Sequence, residues 1–144
     1  MNRCAVTPAD GKTIYSRWLT VPSTGMRLQD ADGMDGIKLP RNKNTVGYQL
    51  TLTVKPTVGA ATPTYLLFED NGPMDGPRTW ATMANAGFGE LLGPGDKAIL
   101  NLSLEENRMI LDLLGIESDF TTEASVVIHV HLKELIALIG EDCK

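Results

Sequence analysis

The most regular stretch of the chain runs from Tyr48 to Val54. Tyr48, Leu50, Leu52 and Val54 alternate there with Gln49, Thr51, Thr53 and, just beyond, Lys55. A period of two describes a strand with one buried and one polar face, as in an antiparallel sheet open to water on one side. Pro56 ends it, because proline brings no N–H to a ladder. A second apolar run, Thr64 to Phe68, follows a loop containing Gly59 and Pro63, so the two strands are expected to form a hairpin. Lys97 to Leu102 reads as a third strand. Near the N-terminus Ile14, Tyr15, Trp18, Leu19 and Val21 predict a short strand stopped by Pro22. From Ser23 to Asn44 apolar residues are sparse, and Gly25, Gly33, Gly36 and Pro40 interrupt any period.

Two segments carry a helical signal. Ser103-Leu104-Glu105-Glu106 has the spacing of a capping box, with a Ser oxygen accepting from an early helical N–H and a Glu three residues on reaching back. A helix is expected from Leu104 to Leu114, with Ile110, Leu111 and Leu114 inward and Gly115 as its stop. In Ser125–Ile139 the branched Val126, Val127, Ile128 and Val130 favour strand, while Ile128, Leu132, Leu135, Ile136 and Ile139 form a helical stripe. The expectation is a strand to about Leu132 and a short helix ending at Gly140. The fold class that follows is α+β, mainly β. It is one domain over 1–144, with residues 1–47 a long N-terminal arm or irregular hairpin and 48–144 an antiparallel sheet plus one or two C-terminal helices.

Composition refines this picture in three places. The 144 residues suit a single domain, and 14 Gly with 8 Pro fit short strands and many loops better than long helices. The net charge of −5 conceals a dipole: eight Lys/Arg against four Asp in residues 1–55, or +4, and five against fourteen Asp/Glu in 56–144, or −9. Such a chain can associate head to tail or turn its basic end to nucleic acid. No apolar run is long enough for a membrane helix. MNRCAVTPAD has no apolar signal core, which points to a protein made, and assembled, in a cytoplasm without a signal peptide. Cys4 and Cys143 sit at opposite ends and can pair within the chain only if those ends meet; otherwise they are reduced thiols or bridges between subunits.

Candidate chemistry is thin. The acidic, Gly-rich segments 30–36 and 69–76 echo each other and resemble calcium loops, but neither keeps the register of a twelve-residue calcium-binding loop, and Asp, Asn and Gly are also what turns are made of. His129 and His131 would share one side of a strand, as metal ligands must, with Glu123, Glu134 or Cys143 as a third ligand. A polar strand face accounts for the same spacing. No Gly-x-Ser-x-Gly or phosphate-binding glycine loop occurs. No enzyme activity, metal or cofactor is expected. Arg41, Lys43 and Lys55 bracket the polar face of the Tyr48 strand and are the candidate nucleic-acid contacts, through phosphates; the aromatic residues that stack on single strands are missing from that strand.

Tyr48 to Leu114 resembles the coat proteins of single-stranded RNA bacteriophages. The residues that carry the resemblance are the polar-faced strand ending in Val54-Lys55-Pro56, and Leu100-Asn101-Leu102 entering the capped segment at Ser103. The resemblance implies a sheet with an RNA-facing side, carrying Lys43 and Lys55, and helices that clasp a partner subunit. The expected function is therefore a structural subunit, a bacteriophage coat or capsid protein in the virion. It would form homo-oligomers, as a dimer or larger shell, with non-specific RNA contact and neither membrane nor small-molecule partners. The alternatives are a small protein-binding or regulatory module acting through the Gly/Pro-rich loops, and a metal-dependent enzyme using His129 and His131.

Overall fold

A computed structural model describes residues 11–56, 63–71, 89–104, 107–119 and 122–136, together with the backbone pairing of 3–4 with 138–139. The described residues form twelve strands: β1 (Arg3–Cys4), β2 (Lys12–Val21), β3 (Met26–Arg27), β4 (Ile37–Lys38), β5 (Thr45–Val54), β6 (Thr64–Asp70), β7 (Glu90–Leu92), β8 (Lys97–Leu102), β9 (Arg108–Met109), β10 (Leu111–Glu117), β11 (Val126–Ile136) and β12 (Leu138–Ile139). Two four-stranded antiparallel sheets, β2-β11-β5-β8 and β3-β10-β6-β7, account for the longer strands.

The pairings are nested. β1 pairs with β12, β2 with β11, β3 with β10, β4 with β9, β5 with β8 and β6 with β7. The chain is thus one long hairpin folded back on itself, and the further pairs β11–β5 and β10–β6 roll that hairpin into two sheets. Numbered among the eight sheet strands alone, the orders are 1-8-3-6 and 2-7-4-5, the connectivity of a jelly roll.

The core lies between the sheets. Tyr48, Leu50, Leu52 and Val54 of β5 and Ile128, Val130 and Leu132 of β11 are fully buried from one side, and Leu66, Phe68, Leu111 and Leu113 meet them from the other. β10 is buried on both faces: Leu67, Leu114 and Ile116 form a second apolar cluster on the outer side of its sheet. On that side too, Arg27 of β3 forms a paired, buried bridge to its register partner Asp112, with Nε–Oδ1 2.8 Å and Nη2–Oδ2 3.0 Å. That hydrogen bond to Asp112 is the main cause holding the Arg27 guanidinium even more firmly protonated than usual. Gly115 is required where the β10–β11 connection crosses: a Cβ there would lie 2.2 Å from the Ala124 carbonyl oxygen.

The mainly β, antiparallel expectation holds, and the helices do not. No helix occurs among the described residues. Leu104 lies in a turn after β8, and the segment expected to be helical from Leu104 to Leu114 supplies β9 and most of β10. The reason is the double burial of β10: apolar residues on both faces of a strand leave no period of two to read. The expected helix after Leu132 is also strand, because β11 stays between β2 and β5 through Glu134, whose buried carboxylate accepts from the Thr45 hydroxyl. β5 and β6 belong to different sheets and form no hairpin. The segment read as an arm contributes β2, an edge strand of ten residues. Cys143 lies outside the described residues; β1 and β12 nonetheless bring the backbone at Cys4 opposite Leu138.

Alanine substitutions along β11 should alternate in effect. Ile128→Ala and Leu132→Ala should each cost about 2–5 kcal/mol, and the intervening His129→Ala and His131→Ala about 0.5 kcal/mol or less. Urea unfolding of the four variants and of Val130→Ala checks this: Val130→Ala should also be clearly destabilising, and a cost as small as that of the histidine variants would indicate a helix instead.

Candidate functional site

The alternation that fills the core leaves the opposite face of the β2-β11-β5-β8 sheet in solvent. Cross-strand register arranges that face in rows. One row runs Trp18, His129, Thr53, Lys97. The next runs Ser16, His131, Thr51, Ile99. The third runs Thr13, Lys133, Gln49, Asn101. With strands about 4.8 Å apart the platform is roughly 15 Å wide, and its rows follow at about 6.8 Å.

Aromatic rings group on one side of this face. The Trp18 and His129 ring centroids are 5.0 Å apart and tilted by 52°, and those of His129 and His131 are 6.2 Å apart. Each imidazole is positioned from the edge strand: His129 Nε2 lies 3.2 Å from Ser16 Oγ, and His131 Nε2 lies 3.2 Å from Thr13 Oγ1. Trp18 is 59% exposed and Ile99 56%, so large apolar surface stands on a sheet face where short polar side chains are the rule. At the register positions of this face no Asp or Glu occurs among the described residues. In a chain of net charge −5 this is a cationic side.

The three basic residues singled out in the sequence do not form one patch. Arg41 and Lys43 are exposed on the turn before β5, which is held by Asn42 N–H to Thr45 Oγ1 at 2.9 Å and Asn44 N–H to Asn42 Oδ1 at 2.8 Å. Lys55 follows the other end of β5, roughly 30 Å away along a ten-residue strand. There its N–H donates to the Val127 carbonyl at 2.9 Å, and its side chain joins Trp18 and Val127 around a shallow cavity of about 290 Å³. Lys55 thus belongs to the aromatic platform, whereas Arg41 and Lys43 lie at the opposite end of the strand.

No family model, curated protein or solved structure matches this chain.

The other candidates resolve locally. In the 30–36 loop the Asp30 carboxylate is occupied: Oδ2 accepts from Arg108 at 2.8 and 2.9 Å, and Oδ1 from the N–H groups of Asp32 and Met34. Asp35 leans on Arg27 at 3.6 Å. The loop is a turn whose charges face arginines; most of the 69–76 echo lies outside the described residues. His129 and His131 do share a face, but Glu134 is buried on the opposite one, and among the described residues no group of three His, Cys, Asp or Glu side chains is placed to hold a metal ion.

Trp18, Lys97 and Lys133 were not found from the sequence. Their strands lie far apart in the chain, and only the register joins them. One signal was available: Trp18 falls between Ser16 and Thr20, on the polar phase of its strand.

Burial pushes the His131 imidazole below its ordinary value, and Lys133 and His129 push in the same direction. The other neighbours it faces, Thr13 and Ser16 on β2 and Gln49 and Thr51 on β5, carry no charge. A histidine whose folded pKa is depressed favours folding while both states are neutral; that contribution is lost as pH falls below about 6.5, where the unfolded chain takes up the proton first. Between about pH 7.5 and pH 5.5 the thermal midpoint of the wild type should therefore fall more than that of His131→Gln. A steeper fall in the variant would contradict this placement of His131.

Proposed function

We propose that the chain is a non-enzymatic structural subunit, a coat or capsid protein that assembles with copies of itself into a closed shell in a virion. The observation that carries the reading is the jelly-roll connectivity, an architecture that builds viral capsids as well as lectin and cupin domains. Because one fold serves several functions, two features of this chain favour the shell among these uses. The space between the sheets is filled by Tyr48, Leu50, Leu52, Ile128, Val130 and Phe68, which leaves the interior to packing. The edge strand β7 leaves Leu91 44% exposed on the outer side of its sheet, apolar surface available to a neighbouring copy.

Shell subunits of this kind associate through repeated, symmetric contacts. Light scattering on the purified protein should give a dimer or a much larger closed particle. Leu91→Lys should lower that mass while leaving the β-sheet circular dichroism intact. A wild-type protein that stays at 15.6 kDa at high concentration overturns the proposal.

A further inference from the structure

We infer that the outward face of the β2-β11-β5-β8 sheet is a stacking platform for single-stranded nucleic acid, with Trp18 and His129 receiving bases and Lys55, Lys97 and Lys133 facing the phosphates. The inference rests on the shell reading only in taking this side as the one turned towards a genome.

Four observations converge on this face. Trp18 and His129 offer adjoining ring surfaces, one of them largely exposed, and a nucleobase stacks on such rings whatever its identity. Lys55 lies beside Trp18, and Lys97 closes the row that Trp18 and His129 begin, so cations flank the aromatic groups as a backbone running past stacked bases requires. No carboxylate stands at the register positions among the described residues, although the chain as a whole is acidic. Thr51, Thr53, Gln49 and Asn101 supply short hydrogen-bonding groups across the rows that hold Lys97 and Lys133.

The form of the nucleic acid follows from the shape of the face. The open face of a four-stranded sheet presents no helix or two-stranded ribbon to enter the major groove of a duplex, and the bases of a duplex already stack on one another. Unstacked bases are available only on single strands, where aromatic side chains receive them. A neutral glycan could also stack on Trp18, but the lysines and the lack of carboxylate acceptors for sugar hydroxyls favour a polyanion. Stacking and phosphate contacts together give binding that tolerates sequence and responds to salt.

Fluorescence anisotropy with labelled oligothymidylate and oligouridylate of roughly twelve nucleotides tests the inference on the full chain. Both should bind, with affinity falling steeply between about 50 and about 200 mM salt. Trp18→Ala should weaken binding roughly tenfold, and Trp18→Phe should restore most of it. Because Trp18 is exposed, neither change should alter the fold, which circular dichroism checks. Lys97→Gln with Lys133→Gln should flatten the logarithmic salt dependence by about 1.4, while Arg41→Gln with Lys43→Gln should leave affinity within about twofold. The inference is overturned if the wild type binds neither oligonucleotide at low salt, if Trp18→Ala binds as the wild type does, if a duplex binds equally well, or if a neutral oligosaccharide binds and the oligonucleotides do not. An assembled protein that ignores oligonucleotides refutes the platform alone; an oligonucleotide-binding monomer refutes the shell alone.

Discussion

β11 is the last long strand of the chain, yet it occupies the middle of its sheet, between β2 from the beginning and β5 from the first half. Its hydrogen bonds therefore close contacts of great sequence separation, as between Thr13 and His131, 118 positions apart. The nested pairing of the whole chain has the same character. Each outer pair lengthens the hairpin begun at β6–β7, but the first sheet is complete only with β11 paired to both β2 and β5. Such closure carries a loop-entropy cost before any core contact offsets it, which places the protein among the slower-folding topologies.

The insertion also has a chemical consequence. Because a strand alternates its side chains, seating Ile128, Val130 and Leu132 in the core obliges Val127, His129, His131 and Lys133 to face outward. The register with β2 then puts Trp18 against His129, and the register with β5 and β8 extends the row to Thr53 and Lys97. Core and platform are thus two results of one alternation. A slip of one residue in β11 would expose the apolar set and bury the histidines together.

Those elements with one dry and one wet face were legible in the sequence. Tyr48–Val54 and Lys97–Leu102 have that pattern and are strands where expected, and the pair His129 and His131 does lie on a polar strand face. β10 was not legible, because Leu111, Leu113, Leu114 and Ile116 are buried from two sides and their spacing also fits a helix. The capping-box spacing after Ser103 reinforced that reading, although Leu104 stands in a turn between strands. The helical part of the likeness to phage coat proteins accordingly has no counterpart among the described residues. For the site, Lys55 was found because its own strand carries the polar phase. Arg41 and Lys43 were grouped with it because sequence distance conceals the length of an extended strand. Trp18 and Lys97 reach the platform by cross-strand register, which no local window contains.

The place of β11 between β2 and β5 sets both core and platform, and nuclear Overhauser contacts of the imidazole ring protons report it directly. If β11 is inserted as described, His129 should show contacts to the Trp18 indole and Thr53, and His131 to Thr13 and Thr51, with neither ring contacting Leu50 or Phe68. Contacts from either ring to those core residues, or contacts confined to positions three and four away along the chain, would contradict it.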